Sequence, residues 1–262
     1  MHAFEYHRPA SLAAAERLLE DDGCHLLAGG MTLLPTMKMR LAQPAGLVDL
    51  GRVDALRGIR EDGDGIEIGA MATHAEVAES ALVRERLPAL ASLAARIGDP
   101  QVRNRGTLGG SLANSDPAAD YPAAVLASAA IIVTNRRTIA ADEFFVDMFE
   151  TALAPPEIVV AVRFPAIRQA AYEKFRNPAS RYAIAGVMVA VVGGEVRVAV
   201  TGAGPCAFRA TAFEAALARR FDATALDGID IDGSGFNDDV HASQAYRAHL
   251  VGVLAKRAVR AA

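Results

Sequence analysis

The spacing of hydrophobic positions changes period several times along the chain. After an extended start, FEYHRP, Ser11 stands as a helix N-cap for LAAAERLLED, where Leu12, Ala15, Leu18 and Leu19 recur at helical spacing. Gly23 closes that run. CHLLAGG predicts a short buried strand entering a Gly-Gly turn, and LVDLG and GIEIGAM predict two further strands. Thr73, with Glu76 three residues on, predicts a capping box that opens a helix toward Val83. LPALASLAARIG predicts another helix, with Gly98 at its end. Pro122 fits only a first helical turn, so YPAAVLASAA begins a helix near Tyr121. That leaves residues 98–120 largely as loop, and a loop so long inside a compact domain is usually functional.

From residue 131 the pattern turns to strands: AIIVT, EIVVAVRFP, AYEKFR, AIAGVMVAVVGG and EVRVAVTGAG. Strands in such succession predict an antiparallel sheet. RATAFEAALARRF returns to helix, and DGIDIDGSGFNDD is an acidic loop. The tail SQAYRAHLVGVLAKRAVRA predicts an amphipathic helix with Tyr246, Leu250, Val253 and Leu254 on one stripe. A boundary is expected near Pro165 to Ala171, where the composition shifts, and no internal repeat is visible.

Composition narrows the function classes. With 262 residues, 52% hydrophobic and 22% charged, the chain is expected to be globular. A net charge of −4 without a basic run argues against nucleic acid as a partner. The two cysteines, Cys24 and Cys206, are far apart, so neither a disulfide framework nor a cysteine-bound metal site is expected. The six histidines show no metalloprotease-like pairing. The N-terminus carries acids within its apolar part, unlike a signal peptide. No apolar run reaches the roughly 18 residues of a membrane span, so a soluble cytoplasmic protein is expected.

Two glycine-rich stretches could carry chemistry. LLAGGMTLLP brings a strand into Ala28, Gly29 and Gly30, and NRGTLGGSL repeats the grammar with Gly106, Gly109 and Gly110 beside Thr107 and Ser111. Such a turn can form a nest of N–H groups for phosphate oxygens, but taken alone the first stretch reads as a tight strand exit, and a single loop of the second kind is weak evidence. Together they suit a ligand with two phosphates gripped from both sides. Asp116 and Asp120 would repel phosphate and suit sugar hydroxyls; helix capping is the alternative. Arg103 and Arg105 could pair with phosphate or brace the loop. His74, inside the capping box, reads as structural, and Met31, Met37 and Met39 read as core filler. Gly202-x-Gly204-x-x-Ala207 imitates a dinucleotide fingerprint, but Pro205 removes a needed N–H and no acid ends a second strand downstream, so it reads as a strand-exit turn.

The segments AGGMTLLPTMKMRLAQPAGLVDL, IGAMATHAEV and IGDPQVRNRGTLGGSLANSDPAADYPAAVLA resemble the flavin-binding medium subunit of molybdenum hydroxylases, the carbon monoxide dehydrogenase and xanthine dehydrogenase group. The likeness runs through VAVTGAGPCAFRA to YRAHLVGVLAKRAV, essentially the whole chain. It implies an α+β fold. A PCMH-type FAD-binding domain would span 1–168, with subdomains of about 1–55 and 56–168, and a C-terminal domain of the carbon monoxide dehydrogenase flavoprotein type would span 169–262. It implies non-covalent FAD, with the pyrophosphate on Ala28, Gly29, Gly30, Met31 and Thr32. The other side would be held by Thr107, Gly109, Gly110, Ser111 and Asn114, with Asp120 near the ribityl or adenosine hydroxyls. Further contacts would fall on Ile158, Val159 and Lys174, and Tyr182 would lie near the isoalloxazine ring. Thr32 and Ser111 depart from the family's frequent Ser and Asn; the hydroxyl is kept at the first and an amide is lost at the second.

The same resemblance implies a small iron–sulfur subunit with two 2Fe–2S clusters and a large molybdopterin subunit as partners, in a dimer of heterotrimers. The molybdenum cofactor and the clusters would sit on those partners only. The alternatives are a free-standing flavin-dependent oxidoreductase and a non-catalytic nucleotide-binding scaffold. The first needs a base or nucleophile of its own, which the sequence does not display.

Overall fold

The computed structural model describes residues 1–20 and 23–262. Its first layer comprises strand β1 (Glu5–His7), helix α1 (Leu12–Leu19), β2 (Cys24–Leu27), α2 (Leu33–Lys38) and β3 (Gly46–Asp49). The strands form a three-stranded parallel sheet in the order β1-β3-β2. Parallel neighbours need crossovers, which α1 and α2 provide. The Ser11 hydroxyl accepts from the Ala14 N–H at 3.3 Å, so the expected cap forms. Asp21, the last residue of the expected helical run, lies outside the described residues.

The second layer is built on an antiparallel sheet. It holds β4 (Ile59–Asp62) and β5 (Gly65–Gly69), then helices α3 (His74–Glu79), α4 (Ala81–Arg86), α5 (Pro88–Ala95), α6 (Pro100–Arg103), α7 (Leu108–Asn114) and α8 (Tyr121–Ala127). After them come β6 (Ile131–Thr134), β7 (Thr138–Ala140), α9 (Ala141–Phe144), the hairpin β8 (Phe145–Asp147) and β9 (Glu150–Thr151), and β10 (Val159–Phe164). The five-stranded order is β4-β5-β10-β6-β7.

The helix opened by the Thr73–Glu76 capping box stops at Glu79, because Ser80 ends it and caps α4 by accepting from the Val83 N–H at 3.3 Å. Residues 98–120 are not largely loop. Asp99 caps α6 and Thr107 caps α7, each accepting from an N–H three residues on. Helices of 4 and 7 residues are too short for an apolar period to announce them.

The third layer is an antiparallel meander of β11 (Ile167–Arg176), β12 (Ala183–Val192), β13 (Glu195–Thr201) and β14 (Phe208–Arg209), with α10 (Thr211–Arg219) and α11 (Gln244–Ala261). β12 is apolar throughout because both its faces are covered. Met188 and Ala190 enter the core of the second layer, while Val187 and Val189 enter the core beneath α11. The buried stripe of α11 is rotated from the expected one: Arg247, Leu250, Val251, Leu254 and Ala258 face inward and Tyr246 is exposed. Arg247 sets that rotation by donating to the carbonyls of Ile184 (2.6 Å) and Gly202 (2.8 Å) while pairing with Asp239. Of the three methionines expected in the core only Met37 is buried; Met31 and Met39 are exposed.

Glu157 anchors the chain entering β10. Its carboxylate accepts from Arg137 at 3.0 and 3.1 Å, from Thr134 Oγ1 at 2.7 Å and from the Ala154 N–H at 3.0 Å. The Arg137 guanidinium, helped by Ala154 and Thr134, lowers its pKa from the usual 4.5 to about 2 against the opposing effect of burial. A depressed carboxylate contributes stability that is complete above pH 4.5 and fades as pH falls toward 2. Glu157→Gln is therefore expected to cost about 1.5–3 kcal/mol at neutral pH, the scale of hydrogen bonds to a charged group. The loss should shrink through that acid window in urea unfolding; a pH-independent difference would contradict the assignment.

Candidate functional site

The three layers meet around one cleft of about 640 Å³. β2 and the turn after it supply Cys24 to Leu33, the start of α7 supplies Thr107, Gly109, Gly110, Ser111 and Asn114, and the segment before β10 supplies Pro155 to Val159. Asp116, Asp120 and Tyr182 close the side nearest the third layer. The residues expected from the sequence are thus brought together, except Lys174, which does not line the cleft.

The two glycine turns differ in what they offer. Gly30, at φ +72°, turns the chain into α2, a conformation that lets successive N–H groups face one concavity. Among the described residues no backbone carbonyl accepts from the N–H of Gly29, Gly30, Met31 or Thr32. At the second turn the backbone donors are already engaged. Leu108 donates to Ala72 O (2.9 Å), Gly109 to Ala70 O (2.8 Å), Gly110 to Thr107 Oγ1 (3.2 Å) and Ser111 to Thr107 O (3.0 Å). The picture of two equivalent nests is corrected to one nest facing a short helix that presents the side chains of Ser111 and Asn114. Gly109 serves packing, since a Cβ there would stand 2.5 Å from Ala70 Cβ. Gly110 faces Ala28 across the cleft, where a Cβ would lie 3.4 Å from that methyl.

Asp120 is buried and accepts from Tyr172 Oη (2.5 Å) and Lys174 Nζ (3.0 Å). Burial pushes its carboxyl up and Lys174 pulls it back down. Lys174 also donates to the carbonyls of Arg96 and Arg181, each at 3.0 Å, so its ammonium is fully engaged behind the cleft wall. Asp116 accepts from the Ala118 N–H at 2.9 Å, and burial raises its pKa. Burial also raises that of Tyr182; the Asp116 charge adds to the rise and the Thr32 hydroxyl opposes it. Arg103 braces its loop by donating to the carbonyls of Ile97 (3.1 Å) and Gly98 (3.0 Å).

The opposite end of the cleft is apolar. Leu19, Leu26, Leu50, Met71 and Ile158 line it and belong to the core of the first layer. Of this wall the sequence pointed only to Ile158; Leu19, Leu26, Leu50 and Met71 were missed, as were His74 and Pro155 to Glu157. The signals were slight: Cys24 and Leu26 alternate on β2, but Leu50 and Met71 come from separate connections. The Gly202-x-Gly204 turn is a strand exit, as expected. Gly202 donates to Pro117 O at 2.7 Å, and its strand β13 lies in an antiparallel sheet.

A nest of free N–H groups, facing hydroxyl and amide side chains in a cleft with an apolar end, fits a dinucleotide with an aromatic group. Residues 2–167 match the family model described as the FAD binding domain in molybdopterin dehydrogenase. The chain belongs to this family. It is a flavoprotein component of an oxidoreductase, and its cofactor is FAD. It is 38% identical to the carbon monoxide dehydrogenase medium chain of Hydrogenophaga pseudoflava, covering 99% of this chain and 96% of that one. It is 37% identical to the nicotine 6-hydroxylase medium subunit of Paenarthrobacter nicotinovorans, covering 98% and 96%. The structure of the Hydrogenophaga pseudoflava carbon monoxide dehydrogenase lacking the Mo-pyranopterin moiety superposes with a TM-score of 0.91 at 39% identity, over 100% of this chain and 97% of that one.

Lys174→Met would leave Asp120 buried without its cation. It should destabilise the fold by about 3–5 kcal/mol in urea unfolding, and adding Asp120→Asn should recover part of the loss. No recovery in the double variant would show that Lys174 does not act through Asp120.

Proposed function

We propose that this chain is the electron-transferring flavin subunit of a molybdenum-containing hydroxylase. It takes electrons from the 2Fe–2S clusters of a small partner subunit and passes them to an external acceptor. The observation that carries the cofactor-binding part is the row of unengaged N–H groups from Gly29 to Thr32, facing α7 across the cleft. The names of the relatives, a medium chain and a medium subunit, support the placement in a larger assembly.

Ala28, Gly29, Gly30, Met31 and Thr32 hold the diphosphate, their N–H groups meeting its oxygens. Thr107, Ser111 and Asn114 offer side-chain donors opposite, while Gly109 and Gly110 let α7 approach. Ile158 and Val159 form the apolar wall. Asp120 accepts from sugar or ribityl hydroxyls, and Lys174 holds it in place from behind. Tyr182 orients the ring and keeps water from the mouth of the cleft. When bound, FAD supplies a carrier that accepts electrons singly and releases them in pairs, while the protein sets position and electrostatics. No residue of this chain need act on the organic substrate, whose site belongs to the large molybdopterin subunit. The assembly is a cytoplasmic dimer of heterotrimers. The flavin domain spans 1–168, with subdomains of about 1–55 and 56–168, and the C-terminal domain spans 169–262. No helix among the described residues is long and apolar enough to cross a membrane.

The purified full chain should take up FAD, keep its visible bands through desalting and release it in acid. Gly30→Asp should abolish uptake, because a side chain there strains the φ +72° turn, runs into Leu34 and Leu27 and brings a carboxylate beside the nest, a penalty of order 100-fold or more for like charges in a desolvated site. Full flavin occupancy in Gly30→Asp would overturn the diphosphate placement. Tyr182→Ala should retain FAD and change the rate of reoxidation by an added acceptor; unaltered kinetics would remove Tyr182 from the ring's surroundings.

A further inference from the structure

We propose that His74 is a further cofactor-binding residue, donating a hydrogen bond from Nε2 to an oxygen of the diphosphate or the adjoining sugar chain. The inference rests on the FAD reading above and adds a contact that neither glycine turn provides. His74 is the first residue of α3, with Thr73 as the cap, and its backbone N–H donates to Gly106 O at 3.0 Å. Capping is therefore complete without the imidazole. The residue is only 5% exposed, yet it lines the cleft.

Its two nitrogens are in different situations. Nδ1 is sealed and has no partner among the described residues. Nε2 is not among the sealed atoms, and no hydrogen bond within the described residues uses it, so this nitrogen opens to the cleft. The ring lies against Tyr121, with centroids 5.3 Å apart, which fixes its plane. On its other edge stands Gly106, where any Cβ would overlap Nε2 and come within 2.8 Å of Cδ2. Gly106 in turn touches Gly29, whose own Cβ would lie 2.8 Å from the Gly106 Cα. The imidazole edge is thus packed on Gly106, the residue that Gly29 touches where the two glycine turns meet, in the cleft that both turns line.

Charge suits this role as well. Burial, reinforced by the Arg103 guanidinium, lowers the His74 pKa from 6.5 to about 4. The ring is neutral at physiological pH, with one nitrogen able to donate and the other to accept. A nearly buried nitrogen without a partner is costly, and a ligand oxygen would relieve that cost.

The test is FAD affinity of the full-length chain, read by quenching of flavin fluorescence, for His74→Phe, His74→Asn and His74→Gln, each checked for folding by thermal unfolding. The Gln amide nitrogen can reach the position of Nε2, whereas the Asn nitrogen imitates Nδ1. His74→Gln should bind within about threefold of wild type, and His74→Phe and His74→Asn about tenfold more weakly, the size of one lost hydrogen bond. Should His74→Phe fail to fold, the Gln–Asn difference still decides. Wild-type affinity in His74→Phe, or equal weakening in Gln and Asn, would overturn the proposal. Failure of the wild-type chain to bind FAD would instead overturn the functional reading on which it rests.

Discussion

The cleft depends on one close approach of backbone to backbone. Gly29 of the first layer lies against Arg105 and Gly106 of the second, and any side chain at 29 would overlap the Arg105 carbonyl oxygen. Only glycine lets the two turns close on each other. The segment that receives Gly29 is itself stitched to the end of β5: Gly109 donates to Ala70, Leu108 to Ala72, and His74 to Gly106. This stitching consumes the backbone donors of the second turn and leaves those of the first free. The resulting site is asymmetric, with N–H groups on one wall and side-chain hydroxyls and an amide on the other.

The third layer completes the cleft through residues 116–120. Gly202 donates to Pro117 O, and Thr201 Oγ1 donates to Ala119 O at 2.6 Å. Ala183 donates to Ala118 O at 3.3 Å, and the next residue back, Tyr182, reaches the cleft. Asp120 carries the same connection inward through Tyr172 and Lys174 of β11. The loop bearing the two carboxylates is therefore held in place by the C-terminal sheet. Gly202, whose sequence setting imitates a phosphate-binding turn, is spent on that docking.

How much of this was legible in the sequence differs by element. Caps and glycines announced themselves, because Ser11, the Thr73–Glu76 box and Pro122 act on residues three or four positions away. The two glycine motifs pointed to a shared ligand, and the family resemblance gave both the fold class and FAD. Tertiary facts were hidden. The roles of Gly109 against Ala70 and of Lys174 behind Asp120 arise from contacts between residues distant in sequence. The short helices α6 and α7 left no apolar period, and the rotation of α11 followed from burying Arg247, a residue that pattern reasoning assigns to solvent. His74 read as part of a capping box because its neighbours do form one; the cleft-facing nitrogen is visible only once Gly106 and Tyr121 stand on either side of the ring.

The central claim is that the diphosphate bridge is what the cleft grips, between the N–H groups of Gly29 to Thr32 and α7. Calorimetric titration of the purified chain with FAD, FMN and ADP in parallel tests it most directly. Tight binding of FAD is expected, with weaker binding of both fragments and with ADP, which carries the diphosphate, retaining more affinity than FMN, because only the intact dinucleotide fills both ends of the cleft and the waist together. FMN binding as tightly as FAD would contradict it, since FMN lacks the bridge that the first glycine turn is built to hold.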